Sequence, residues 1–230
     1  MVELRWWFSM KQQFPKLSIF DTFKTKREQL TGEAIRQRHI ISHLARENSS
    51  TLMTRTAIAQ NIAKKNNLLW KNIYSGVFRD LDEILIPLDI VSEAGRLPLK
   101  RGPKALQEKG IPHYQLTSKG LLVALSIDEF ELKGSVLDEF LSKAEIKEKE
   151  FGSIIKTLVK ISPKFAYSMF EIHVRAFCEG KLKNLLPFSV SELQQMPENA
   201  YAIQSELLTG FMALPKSKKT DVLNFFSKFR

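Results

Sequence analysis

The chain has 230 residues, of which 43% are apolar and 26% charged, a composition that supports a buried core and argues against a wholly disordered protein. Lys and Arg number 35 against 25 Asp and Glu, so the net charge of +10 favours anionic partners such as nucleic acid. The single cysteine, Cys178, excludes an internal disulfide and a cysteine-based zinc finger, and no apolar run reaches the length of a membrane span.

Residues 1–30 form an N-terminal segment that is both aromatic and basic, with Trp6, Trp7 and Phe8 near its start. This stretch lacks the apolar run and the small-residue cleavage site of a signal peptide. We expect it to pack against other helices of the chain or across a dimer. Contact with a membrane surface is the alternative that a basic aromatic segment also allows.

Three helices are predicted in the next part of the chain. The first covers residues 33–47 after a start signal at Thr31, and the second begins at Thr54. The third spans about residues 70–85 and ends before Pro87, which cannot continue a helix. Apolar residues recur at helical spacing in all three. These inner positions are Ile40, Ile41 and Leu44 in the first helix, Ile58, Ala59, Ile62 and Ala63 in the second, and Ile73, Val77, Leu81 and Ile84 in the third.

Two stretches with alternating apolar and polar residues, 88–92 and 113–116, predict a strand and a returning strand. After the second strand, Thr117 is placed to cap an apolar helix over residues 121–127. A local basic cluster occupies the loop between the strands and the residues just after it. Residues 95–119 contain six cations and only one acid, Glu108. The cations are Arg96, Lys100, Arg101, Lys104, Lys109 and Lys119.

The order of these elements (helix, helix, turn, helix, strand, basic loop, strand, helix) is that of a winged helix-turn-helix. Residues 32–128 resemble the winged helix-turn-helix DNA-binding domain of archaeal-type transcriptional regulators, and residues 54–59, 77–84 and 114–120 carry the resemblance. It implies a mainly α fold, with three helices and a two-stranded β-wing over residues 31–130. The loop between the strands is longer than a usual wing, so it is expected to lie along the DNA backbone or to meet a partner.

In that fold, the exposed front of the third helix would read base edges in the major groove, because an α-helix fits there. The second helix and the wing would contact phosphates, which position a protein without reading sequence. An ordinary solvated surface is the alternative for both helices. The predicted base-reading residues are Lys71, Asn72, Ser75 and Arg79, next to Gly76, which would allow close backbone approach. The predicted phosphate contacts are Arg55, Thr56, Gln60, Arg96, Lys100, Arg101, Lys104 and Lys109.

Residues 131–230 are predicted to be entirely helical, with helices over about 136–161, 164–179, 198–209 and 216–229. Ser189 and Glu192 match a capping box. We expect this C-terminal domain to form a homodimer or to bind another partner; a simple extension of the core is the alternative. The seam with the preceding domain is expected around residues 131–135.

The sequence therefore predicts a cytoplasmic, nucleoid-associated transcriptional regulator that binds double-stranded DNA and does not contact membranes. The alternative is a winged-helix interaction subunit in a replication, transcription or chromosome-organising assembly. We expect no catalysis, because no convincing acid–base pair stands out. We also expect no cofactor and no metal: His39 and His43 are four residues apart, but Ile40 stands where zinc proteases carry Glu, and no third ligand is evident.

Overall fold

The computed structural model describes residues 15–65, 69–98, 110–127, 133–143, 149–194 and 200–227. Over these residues the chain is mainly helical, with one small antiparallel sheet of two strands. In chain order the elements are α1 (Gly32–Arg46), α2 (Arg55–Lys65), α3 (Trp70–Arg79), β1 (Val91–Leu97), β2 (Ile111–Leu116), α4 (Ser118–Leu125), α5 (Lys133–Lys143), α6 (Lys149–Ile161), α7 (Pro163–Cys178), α8 (Val190–Gln194), α9 (Ala200–Ala213) and α10 (Lys216–Ser227).

Threonine caps begin two of the predicted helices. Thr31 precedes α1 and accepts a hydrogen bond from the backbone N–H of Ala34, and Thr117 does the same for Gly120 at the start of α4. Both satisfy backbone donors that have no partner within the helix. The two predicted caps are confirmed, although α4 begins at Ser118, three residues before the predicted range of 121–127.

The third helix changes character before it ends. From Asp80 to Leu85 it continues as a π-helical turn, in which the backbone N–H of Ile86 donates to the carbonyl of Leu81, five residues back. The predicted end near residue 85 is therefore confirmed, but the last turn is wider than an α-turn. Such wide turns occur inside α-helices frequently at functional sites.

The first strand begins later than predicted. Residues 88–90 lie in a turn rather than a strand, and β1 starts at Val91. The reason is the backbone of Asp89, which has a positive φ of 56° that an extended strand does not allow. β1 then pairs with β2 from Val91 opposite Leu116 to Leu97 opposite Ile111.

The core is built around α4, whose residues Gly120–Leu125 are all buried. This helix packs against α1, β2, α5 and α7. Its approach to the preceding chain is close, because a Cβ at Gly120 would lie 2.1 Å from the carbonyl oxygen of Ile90. Only glycine fits at this point of contact.

A second group of buried side chains joins α5, α6 and α7 to the segment before α8. The ring of Phe188 lies 5.0 Å from Phe170 and 5.6 Å from Phe151, measured between centroids. His173 stands edge-on to the same ring at 5.0 Å, and its Nε2 donates to the carbonyl of Leu185. Phe151, Phe170 and Phe188 therefore form a buried aromatic cluster in this part of the chain.

The chain divides into two compact units, residues 1–193 and 194–230. α4 packs against α5 and α7, which lie beyond the predicted seam at residues 131–135, so the helices on both sides of that seam belong to the first unit. The organisation into segments 1–30, 31–130 and 131–230 stays a prediction. No helix among the described residues is long and apolar enough to cross a membrane.

Candidate nucleic-acid interface

The N-terminal half of α3 presents a polar side to solvent. Lys71, Asn72 and Ser75 are exposed, whereas Val77, on the opposite side, is fully buried and α2 packs alongside. Asn72 also borders a cavity of about 300 Å³ between α1 and α3, together with Ile35. These three predicted base-reading residues thus lie close together on the exposed side of one helix.

The inner edge of α3 is fixed by a buried ion pair with α1. Nε of Arg36 donates to Oδ2 of Asp80 at 2.5 Å, and its Nη2 donates to Oδ1 at 3.1 Å. Asp80 is fully buried, and this burial raises the pKa of its carboxyl group above the usual value while the Arg36 hydrogen bond opposes the rise. Because one charge compensates the other, we assign this pair to anchoring the helix rather than to binding a ligand.

The Arg36 side chain also covers Gly76. A Cβ at Gly76 would lie 2.8 Å from Nε of Arg36, so the glycine makes room for this arginine. The predicted close approach of the Gly76 backbone to DNA stays a prediction, and the Arg36 side chain would have to move to allow it.

Arg55, a predicted phosphate contact, is engaged inside the protein. Its guanidinium makes an ion pair with Asp82, and its central carbon lies 4.6 Å from the ring centre of Phe78 and 5.3 Å from that of Tyr114. These contacts tie α2 to the end of α3 and to β2. The neighbouring predicted phosphate contacts on α2, Thr56 and Gln60, are exposed.

Arg79, the fourth predicted base reader, is half-exposed and faces two carboxylates. Its Nη2 lies 3.3 Å from Oε2 of Glu33 at the start of α1 and 3.8 Å from Oδ1 of Asp80. A guanine could engage this guanidinium only in competition with Glu33. The readout expected from Arg79 is therefore weaker than that of an unpaired arginine.

In the described part of the β1–β2 hairpin and at the start of α4, basic side chains are also paired with carboxylates of the protein. Arg96 on β1 makes an ion pair with Glu93 at 2.6 Å, and Lys119 at the start of α4 lies 3.1 Å from Asp89. The remaining predicted wing contacts, Lys100, Arg101, Lys104 and Lys109, fall outside the described residues.

Sequence reasoning missed the carboxylates that partner these arginines. One signal was present: Asp80 lies between Val77 and Leu81 on the inner side of α3, and a carboxylate that is buried needs a cation beside it. The identity of that cation, Arg36, is 44 positions away in the chain and follows no local spacing. Among the described residues, no group of three or more His, Cys, Asp or Glu side chains is arranged to hold a metal ion.

Comparisons with known proteins found no match of significance to a family model, to a curated protein or to a solved structure.

Proposed function

We propose that residues 31–130 form a winged helix-turn-helix domain that binds double-stranded DNA, and that the protein acts as a transcriptional regulator without catalysis. The observation that carries the proposal is the exposed polar side of α3 at Lys71, Asn72 and Ser75, on a helix that α2 supports and a two-stranded hairpin follows. A helix of this kind fits the major groove of B-DNA. A regulator of this class would act in the cytoplasm, on the nucleoid.

In this proposal the exposed residues of α3 make different contacts with DNA. Asn72 is the main base reader, because an amide can make a bidentate contact with adenine and this residue is exposed. Lys71 and Ser75 add contacts to base edges or phosphate. Arg79 contributes less, since Glu33 competes for its guanidinium.

The basic loop supplies the part of the affinity that does not depend on sequence. Lys100, Arg101, Lys104 and Lys109 carry four positive charges in ten residues of sequence, and each phosphate they neutralise contributes about −0.9 to the slope of log affinity against log salt. Thr56 and Gln60 at the exposed side of α2 would add neutral phosphate contacts.

The test is selection of bound duplexes from a random pool at near-physiological salt, carried out with the wild-type chain and with Asn72→Ala. The wild type should enrich a defined site, and the variant should lose about 1–3 kcal/mol of discrimination at one base position. Asn224→Ala, which removes an exposed asparagine from α10, is the matched control and should enrich the same site as the wild type. A wild-type chain that enriches no site would overturn sequence-specific binding.

A second candidate function follows from the charge pairing at the interface. Arg55, Arg79 and Arg96 all have carboxylate partners in the protein, so this surface is more nearly neutral than its arginine content suggests. A surface with nearly equal positive and negative charge suits a winged-helix subunit that binds another protein in a larger assembly.

Charge reversal in the basic loop separates the two functions. If the loop grips phosphates, the double variant Lys100→Glu/Arg101→Glu should lose affinity for every duplex and reduce the magnitude of the salt slope by about 2. If the surface instead binds a protein, the wild type should bind duplexes only weakly, and the double variant should have the same low affinity for them. Lys216→Glu/Lys218→Glu on α10 serves as the control for the change in net charge.

A further inference from the structure

The second compact unit, residues 194–230, exposes an extensive apolar surface. Seven large apolar side chains of α9 and α10 are between 44% and 71% exposed, although such side chains are usually covered in a folded protein. We call this set the C-terminal apolar surface. Its members are Ile203, Leu207, Leu208, Met212, Leu223, Phe225 and Phe226.

The unit cannot cover this surface by itself. α9 and α10 are joined by only Leu214 and Pro215, yet within the described structure they pack little against each other. A segment this short has too little material for a core of its own, and chains below about 40 residues usually need an additional partner or crosslink. The apolar side chains therefore require a covering that comes from elsewhere.

The area of the surface matches what a specific protein interface needs. At about 150 Å² for a large apolar side chain, the exposed fractions of the seven residues leave about 600 Å² per copy. Stable interfaces bury about 600–1,000 Å² on each partner. Two identical surfaces facing each other would reach the lower end of that range.

The charge pattern favours a second copy over a lipid surface. Between Ala200 and Ala213, Glu206 is the only charged residue, so two α9 helices can meet without repulsion between like charges on their apolar sides. Helices that lie on anionic membranes carry Lys and Arg along their polar side. α9 has neither, and the three lysines of α10 are confined to its first four residues. An interface between identical copies needs one self-complementary patch, which this surface supplies.

We propose that the C-terminal apolar surface pairs with the same surface of a second copy, so that the protein is a homodimer held together by residues 194–230. Four helices, two from each copy, then enclose the apolar side chains that one copy leaves exposed. This inference does not depend on DNA binding, and it is tested without DNA.

The experiment measures the molar mass of the 230-residue chain in solution by light scattering over a dilution series that starts at about 100 μM, a concentration far above the dissociation constants typical of specific interfaces. The wild type should have twice the mass of one chain. Leu208→Glu should raise the dissociation constant about thirtyfold or more, because it places a charge in the apolar contact. Ala202→Glu, on the side of α9 that carries Glu206, should leave the dimer intact.

Two outcomes would overturn the proposal. One is a wild-type chain with the mass of a single copy, and the other is equal weakening of the dimer by Leu208→Glu and Ala202→Glu. If the wild type has a single-copy mass and Leu208→Glu also lowers the unfolding midpoint, the rest of the same chain covers the surface.

Discussion

α4 and α9 are both apolar helices, but the side chains of α4 are buried and those of α9 are largely exposed. In α4 every residue from Gly120 to Leu125 is buried, whereas in α9 the side chains of Ile203, Leu208 and Met212 are each more than half exposed. The difference lies in their surroundings, since α1, β2, α5 and α7 surround α4, and α9 has no comparable set of neighbours within the described part of its own unit. Apolar composition sets how much surface a helix must bury, and the neighbouring elements decide whether it is buried within one chain.

The largest contrast is expected at the glycines of the two helices. Gly120→Ala in α4 should destabilise the protein by more than about 4 kcal/mol, because the new Cβ would lie 2.1 Å from the carbonyl oxygen of Ile90 and the backbone has to move. Gly210→Ala in α9 meets no atom within 4 Å among the described residues and should stabilise its helix by about 0.5–1 kcal/mol. Urea unfolding of both variants measures the difference, and equal effects would contradict the contrast.

A smaller contrast is expected at the leucines. Leu122→Ala in α4 should lower the free energy of unfolding by about 2–5 kcal/mol at any protein concentration, since Leu122 is completely buried in the first unit. Leu208→Ala in α9 should change it by less than about 0.5 kcal/mol in dilute solution. If the C-terminal apolar surface pairs with a second copy, the effect of Leu208→Ala grows with protein concentration and that of Leu122→Ala does not. Unfolding curves at two concentrations distinguish these cases.

The packing around α4 also predicts a dependence on pH. His173 lies on α7, which packs against α4, and burial lowers the pKa of its imidazole below the ordinary value of 6.5, against the opposing effect of the Leu185 hydrogen bond. The unfolded chain then binds a proton that the folded chain does not, so stability should fall as the pH drops below about 6.5. One proton limits this contribution to about 1.4 kcal/mol per pH unit.

The variant His173→Gln should show a smaller loss of stability between pH 7 and pH 5 than the wild type, whatever its stability at pH 7. Unfolding midpoints measured across this range give the two slopes. Parallel slopes would mean that His173 does not contribute to the acid sensitivity.

At the start of α4 we expect a smaller effect than those of Gly120→Ala and Leu122→Ala. Thr117 Oγ1 accepts from the backbone N–H of Gly120 and donates to the carbonyl of Asp89 at 2.6 Å, so it links the helix to the preceding turn. Thr117→Ala should cost about 1 kcal/mol, and Thr117→Ser, which keeps the hydroxyl group, should recover most of it. The same unfolding measurement applies, and a serine variant as weak as the alanine variant would assign the loss to packing of the methyl group.

Local signals predicted much of the fold and little of the interface's electrostatics. Thr31 and Thr117 mark their helices because a cap acts on donors only three residues away, and the starts of α1 and α4 follow from them. The predicted start of β1 is wrong because apolar and polar residues alternate over 88–92, and this pattern does not indicate that Asp89 has a left-handed backbone conformation. The partners of Arg36 and Arg79 come from distant parts of the chain, and local sequence spacing carries no information about such contacts.

The exposure of α9 is a further case in which sequence and structure gave different information. Its composition is typical of a helix that is buried on most sides. Whether a second copy provides that burial depends on a contact between molecules, which a pattern within one chain does not specify.

The wide turn at Asp80–Leu85 has a consequence for insertions and deletions. A π-turn holds about one residue more than an α-turn, so losing one residue here can be absorbed by a return to regular winding, whereas the same loss within Trp70–Arg79 would rotate everything after it by about 100°. In the second case the β1–β2 hairpin would leave α3 in another direction. The chain should therefore tolerate deletion of the exposed Glu83 better than deletion of a residue within α3.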